Sequence, residues 1–353
     1  MTDLIVAGAG MAGLAAAAEA RSLGADVLLL EKLDRPGGSM LLSSGVFWRH
    51  RDFERFRSDC PGGDPALQRT LFERLDEDLE WLESLGAPLV SPATGNELTS
   101  GARFEPAGLC AALGQAAGPA RLGEPLRELP DATPVVLATG GFPADRELLR
   151  RHITPEADSL VLRTAQGGSG DGLRLGLEAG AEVSDGLDEF YGRNMPAPPA
   201  RIAPEDFVPL AQLYARHAEV TNAEGRRYEP RTWSEIDVVQ WTARQPRARA
   251  WYRVAPEALD QRVGDRSVAQ MVEAAAAAGA PVSRSADGYV VETVAGITST
   301  LGGLRIDTRA HAAPGVFACG NDAGGIATGG YASGLAAALV FGRIAARSAL
   351  GAA

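Results

Sequence analysis

Leu4-Ile5-Val6-Ala7-Gly8-Ala9-Gly10-Met11-Ala12-Gly13 runs an apolar strand straight into a glycine turn, and an alanine-rich helix then leads to a second strand ending Leu28-Leu29-Leu30-Glu31. Each glycine has a separate physical duty at this spacing. Gly8 permits the tight strand-to-helix turn, Gly10 lets a pyrophosphate approach the backbone, and Gly13 lets helix and strand pack closely. The phosphates then rest on the helix N-terminus, at Met11 and Ala12. Glu31 stands where an acid accepts hydrogen bonds from adenosine ribose hydroxyls and repels a 2′-phosphate. A glycine turn alone can serve backbone geometry, but strand before, helix after and acid at this distance together read as a dinucleotide-binding βαβ unit with an unphosphorylated adenylate.

The rest of the chain sets bounds. At 353 residues it has room for two domains at about 150 residues each. Its 45% hydrophobic and 22% charged residues are those of a globular protein, and no run of about 18 apolar residues is present to span a bilayer. Met1-Thr2-Asp3 leads directly into the first strand without a basic region or apolar signal core, so a cytoplasmic protein is expected. Cys60, Cys110 and Cys319 are odd in number and far apart, which gives neither a disulfide framework nor a zinc spacing. The net charge of −11 argues against nucleic acid, whose phosphates are bound by clustered Lys and Arg.

Further along, Arg35 to Gly45 is a Gly/Ser loop able to lie against a flat ligand. Asp64 to Gly86 carries Leu71, Leu75, Leu79 and Leu82 at helical spacing, and Phe104 to Leu113 reads as another amphipathic helix. A strand at Thr133 to Leu137 ends in Ala138-Thr139-Gly140-Gly141-Phe142. From about Pro143 the texture turns polar, with Trp233, Trp241, Trp251 and Tyr252 inside the stretch. Strand patterns return at Gly302 to Asp307 and at Gly315 to Ala318, and Ser333 to Leu350 reads as a closing helix. The expected fold is α/β: a discontinuous Rossmann-like domain over 1–145 and 294–353, with an inserted α+β cap domain over 146–293.

These residues resemble the flavoprotein family of soluble fumarate reductases, 3-ketosteroid Δ1-dehydrogenases and tricarballylate dehydrogenases. The likeness rests on Gly8 to Gly13, Glu31-Lys32, Gly37-Gly38-Ser39 with Ser44-Gly45, Leu137 to Phe142, Gly170-Asp171-Gly172, Asn222 to Tyr228, Thr300 to Leu304, and Gly320 to Arg343. It implies a glutathione-reductase-type domain with FAD as resident cofactor. By resemblance, Gly8, Gly10, Met11, Ala12 and Gly13 hold the pyrophosphate, and Glu31 and Lys32 the adenosine side. Gly38, Ser39, Met40, Ser44 and Gly45 lie near pyrophosphate and flavin, and Ala138, Thr139, Gly140 and Asp171 near the adenosine half. Asn321 and Asp322 stand near the ribityl chain, with Ser333, Gly334 and Leu335 at the pyrimidine edge. Ser333 and Asp171 also read as helix caps. The histidines are His50, His152, His217 and His311, none near Ser39, so the flavin is expected to be non-covalent. The stretch Ala116 to Asp131 is shorter than in relatives, which implies a compact version of the fold. No second glycine-rich βαβ unit is seen for NAD(P)H, which points to an external electron acceptor or oxygen.

Three departures bear on the reaction. Where fumarate reductases carry a substrate-binding histidine this chain has Ser299, and where they carry a carboxylate-gripping arginine ungapped counting gives Gly329. The column of their proton-donating arginine falls on Glu235. Without the arginine fork, a small dicarboxylate is disfavoured as substrate. Glu235 has two readings: a general base with raised pKa, or an exposed acid on a helix from Ser234 to Ala243. Tyr331, between glycines, can hydrogen-bond a substrate carbonyl or stack over a ring; the family's loop tyrosine falls by counting on Thr328. Tyr191 and Arg193, read as lying in a loop, are further candidates or an ordinary surface pair. The implied reaction is desaturation of a CH–CH bond next to a carbonyl in a small molecule, with an enoate reductase and a flavin-binding protein lacking its own chemistry as alternatives.

Overall fold

The computed structural model describes residues 2–230 and 235–352. They form two compact units: Met1–Asp145 with Ala165–Glu189 and Ser299–Ala353, and Arg146–Thr164 with Phe190–Thr298. Residues Ala165–Glu189 thus group with the first unit, past the division read at residue 145.

The first unit is organised on a six-stranded sheet. Strand β1 (Leu4–Ala7) pairs in parallel with β2 (Val27–Glu31), Leu4 facing Val27 and Ala7 facing Leu30. On its other side β1 pairs with Val135–Leu137, which pairs with Val316–Ala318. These strands are continuous apolar runs because both sheet faces are covered. The C-terminal segment therefore completes the N-terminal sheet. Short Ala120–Leu122 extends it beyond β2, inside the abbreviated stretch, and His311–Ala313 closes the other edge antiparallel. Helix α1 (Met11–Ser22) packs on the closing helix Gly334–Ala349 through small residues: a Cβ on Gly342 would lie 2.6 Å from the Ala12 carbonyl oxygen. Behind that contact Arg343 is buried with Glu19 (2.7 Å) and Asp78, while Arg347 bonds the other Glu19 oxygen at 2.6 Å.

Asp64 caps the helix Pro65–Ser84, accepting from the Ala66 and Leu67 amides. The helix expected from Phe104 begins later. Phe104 ends a strand paired with Val46–His50, and Glu105 caps a helix over Pro106–Ala117, since proline's fixed φ and missing N–H suit the first helical position. Nor is Gly302 to Asp307 a strand; Leu304 makes isolated bridges to Val183 and Ala323.

The second unit is α+β. Its long strand Gly288–Thr300 pairs antiparallel with Arg249–Val254 and Val282–Ser285, parallel with Val161–Leu162, and also with Phe190–Pro196. Helices Glu235–Ala243 and Val268–Ala277 bury Val238 and Met271 with Tyr214, Tyr252 and Val291. Tyr252 is therefore core, and Trp241 is partly buried against that core. Trp233 and Ser234 lie outside the described residues. Among the described residues no helix is long and apolar enough to cross a membrane.

Candidate functional site

Backbone makes the first part of the site. Gly8 has φ +104°, and a Cβ there would lie 2.2 Å from the Ala138 carbonyl oxygen; one on Gly13 would lie 1.7 Å from the Gly8 oxygen. Gly10 differs: its φ is −79°, and an added Cβ meets no atom within 4 Å. Gly8 and Gly13 are thus required by the fold itself, whereas at Gly10 the missing side chain leaves an open cradle. Gly10 is also the N-cap of α1, no side chain caps that helix, and its first turn holds no acid. Amides of Met11 and Ala12 head an uncapped helix end, the donor set a phosphate takes. Gly38 closes the cradle from the other side, 3.4 Å from the Gly10 Cα measured at its would-be Cβ.

Glu31 is buried and held by two backbone donors, Ala9 N at 2.7 Å and Leu33 N at 2.8 Å. An ionised carboxylate has about four lone-pair sites, so this grip orients the group and leaves it acceptor capacity. In the short helical turn Gly38–Leu42, Met40 is buried and the Ser39 hydroxyl accepts from Ala165 N at 3.3 Å. Ser44 lends its carbonyl to Arg103, and Gly45 is packed so closely that a Cβ would lie 2.0 Å from the Phe104 oxygen.

Several charged candidates are engaged with one another. Lys32 Nζ pairs with Asp171 at 2.8 Å and bonds the Gly167 carbonyl, and Asp171 occupies the first turn of the helix Asp171–Glu178, whose cap is Gly170. Asp322 is fully buried. Its carboxylate accepts from the Thr139 amide, from Thr139 Oγ1 at 3.0 Å and from Gly141 N at 3.0 Å, while burial pushes its pKa up. These bonds make it a brace for the Ala138-Thr139-Gly140 loop. Asn321 beside it is half-buried.

Ser333 caps the closing helix, its hydroxyl accepting from Ala336 N at 3.3 Å. Gly334 N donates to the Tyr331 hydroxyl at 3.3 Å, and Leu335 follows half-buried. Tyr331 meets the edge of Trp48 at 5.8 Å. A helix N-terminus carries partial positive charge, so this end favours an anionic or electron-rich ligand group. His50, next to Trp48, was not singled out from sequence: its Nε2 lies 3.3 Å from Asp59 and burial lowers its pKa.

The second unit assembles its own cluster from long side chains. Tyr191 and Arg193 lie on the strand Phe190–Pro196, not in a loop, and share one face because strand side chains alternate. The Arg193 guanidinium sits 4.7 Å from the Tyr191 ring centroid. Asn194 points the other way, to Tyr252 OH at 2.8 Å and Thr242 Oγ1 at 2.9 Å. Glu235 opens the helix Glu235–Ala243; its Oε1 accepts from Ala215 N at 3.1 Å, and its buried Oε2 has no partner among the described residues. Burial pushes the carboxyl up to about 7, against the opposing influence of Arg193, the Ala215 bond and Arg216. The exposed-acid reading is therefore corrected by the structure. Arg163, missed from sequence, is also buried here; following the apolar pair Val161–Leu162, it offers no local signal of its environment.

Comparison with known proteins bears on what these arrangements hold. A family model described as "FAD binding domain" matches residues 3–121 and 126–335. NADH:fumarate oxidoreductase of Klebsiella pneumoniae (strain 342) is 27% identical over 231 residues, covering 52% of this chain but only 25% of that protein. The open conformation of a flavocytochrome c3 fumarate reductase superposes with a TM-score of 0.74 at 22% identity, over 99% of this chain and 78% of that one. 3-Ketosteroid delta1-dehydrogenase from Sterolibacterium denitrificans superposes with a TM-score of 0.72 at 16% identity, over 99% of both chains. At these identities the two structures show a shared fold.

Proposed function

The chain belongs to the FAD binding domain family and FAD is its cofactor, and from that premise we propose an oxidoreductase that desaturates a CH–CH bond next to a carbonyl in a small, non-dicarboxylate molecule. In this reading the first unit is the FAD-binding domain and the second bears the proton-handling group. Gly8, Gly10, Met11, Ala12 and Gly13 would take the pyrophosphate, which the open cradle at Gly10 and the uncapped helix fit. Glu31 would take the adenosine ribose. Gly38, Ser39, Met40, Ser44, Gly45, Ala138, Thr139, Gly140 and Asn321 would line the cofactor, with Ser333, Gly334 and Leu335 at the flavin ring. Lys32, Asp171 and Asp322 would support these loops through their own bonds. The flavin is held non-covalently.

Bound FAD supplies the acceptor for the hydride that leaves the β carbon. The proton at the α carbon goes to Glu235, whose buried Oε2, without a partner among the described residues, is the observation that carries the proposal. A carboxyl with a pKa of about 7 is ionised often enough at neutral pH to accept a proton and basic enough to do so usefully. Tyr331 would donate to the substrate carbonyl, stabilising the charge that develops there. Tyr191 is the second candidate contact for substrate. Reoxidation falls to an external acceptor or oxygen.

The reverse direction, enoate reduction, is a second reading, favoured by the curated relative's name as a fumarate oxidoreductase. Anaerobic visible spectra with cyclic ketones, acyl compounds and dicarboxylates decide between them. Bleaching of the flavin band by a saturated carbonyl compound establishes desaturation. A flavin that bleaches only with dithionite and is reoxidised by an enoate establishes reduction. A flavin unmoved by either overturns both and leaves a flavin-binding protein without CH–CH chemistry.

A further inference from the structure

Arg163 is an anomaly in the second unit. It is 7% exposed, yet among the described residues neither it nor Arg193 has a carboxylate within ion-pair distance. Its guanidinium donates to neutral acceptors, Thr298 Oγ1 at 2.7 Å and the Phe207 carbonyl, and its Nε is buried with no acceptor. A guanidinium has five N–H donors, so most of this fork is unspent. Burying a cation without a counter-charge is costly, and proteins ordinarily place an acid beside it.

The backbone is shaped to keep it there. Arg163 follows the short strand that pairs with Gly296 and Ile297, and its amide donates to the Ile297 carbonyl at 2.8 Å. A Cβ on Gly296 would lie 2.5 Å from Arg163 Cδ and 3.0 Å from the Arg193 carbonyl oxygen. The arginine's stem therefore crosses the long strand where a side chain is missing, and the same gap brings it beside the strand that carries Arg193. The two cations are near enough that Arg193 disfavours the charged form of Arg163, with burial the larger effect. Among the described residues Arg193 donates to the carbonyl of the residue before it and rests on Tyr191. Two guanidinium groups without an ion-pair partner among the described residues, one buried with spare donors and one half-buried on an aromatic ring within electrostatic reach of Glu235, offer their donors to an anion.

We propose that Arg163 and Arg193 bind a single carboxylate on the substrate, so that the enzyme acts on a mono-acid. This deepens the oxidoreductase reading and rests on it. The cations absent at Ser299 and Gly329 belong to other positions; in this pair Arg163 stands just past the short strand Val161–Leu162 and Arg193 on the strand Phe190–Pro196, and together they provide for one acidic group.

The test is equilibrium binding to the oxidised holoprotein, by calorimetry, of crotonate, of its neutral amide crotonamide, and of sulfate. Crotonate is expected to bind, with crotonamide about thirtyfold weaker, the scale of losing one side of a buried charge-assisted contact. Arg193→Gln and Arg163→Lys should each weaken crotonate by a similar factor and leave crotonamide unchanged. If Arg163→Lys fails to fold, the half-exposed Arg193→Gln still decides. Equal binding of acid and amide, no binding of crotonate, or sulfate binding as well as crotonate would overturn the proposal. No turnover is required, so a protein that binds crotonate through the arginines yet bleaches with no substrate keeps this inference and sinks the reaction.

Discussion

The first unit builds its candidate site from backbone, and the second builds its own from long side chains. Around Gly8, Gly10 and Gly13 the important fact is the absence of atoms: two positions where a Cβ would strike a carbonyl oxygen, and one where it would meet nothing. Around Glu235, Arg163 and Arg193 the important fact is charge: Arg163 and the Glu235 Oε2 are buried, Arg193 is half-buried beside them, and ion-pair partners are few among the described residues. A backbone site costs little to maintain, since the same glycines let strand and helix pack. A buried-charge site works against stability, because each ion loses hydration that its neighbours only partly replace. A buried cation can nevertheless be kept purely for structure, and the first unit shows how: Arg343 is as buried as Arg163 but meets both Glu19 and Asp78.

That contrast can be broken by substitution. The largest effect is expected at Glu19→Ala, which removes one of the two carboxylates that buried Arg343 meets together with the carboxylate that Arg347 meets; unfolding by denaturant should show a loss of about 3–5 kcal/mol. A loss under about 1 kcal/mol would mean that the Arg343 network contributes no more than a surface ion pair. Next comes Glu235→Gln, which keeps shape and removes the base. Turnover should fall by about a hundredfold or more with the visible flavin band unchanged, and retained turnover would remove Glu235 from the reaction.

Gly10→Ala separates fold from cofactor within one turn. The open space and ordinary φ predict an apoprotein as stable as the parent, but FAD affinity lower by about tenfold or more, measured by fluorescence on titrating FAD. Parallel loss of stability would show that Gly10 serves packing, as Gly8 and Gly13 do. The smallest signal is pH. Because burial raises Glu235 from 4.5 to about 7, its folded form holds a proton that the unfolded chain releases, so its own contribution to stability is fully present below pH 4.5 and is lost as pH rises toward 7. In the desaturating direction kcat/KM should rise through the same region. The Gln variant should flatten both profiles.

How much of this was legible from the chain depends on how far apart the deciding atoms lie. The turn from Ala7 to Gly13 and the cap at Asp64 are local patterns, where spacing along a few residues dictates backbone geometry. The pair Lys32–Asp171 and the brace from Asp322 to Thr139 join residues far apart in sequence; the positions were picked out, but their bonds to one another were not readable. Tyr191 and Arg193 read as loop residues in the sequence, because a strand of seven residues broken by glycine and ending in proline carries no clean alternation. Glu235 could be counted to its position, yet whether it faced water or core was open.

By itself the sequence determined the α/β class, the nucleotide turn and its acid, and the return of the C-terminal segment to the first sheet. Short-range sterics dictate the turn and its acid, and the strand pattern at the C-terminus, with too few strands in the N-terminal part to finish a sheet, points to that return. Only the tertiary structure decided which charges are buried and unpaired. Burial of Arg163 depends on Gly296 and Phe207, and that of Glu235 on the packing around Ala215, so no stretch of neighbouring residues contains the information.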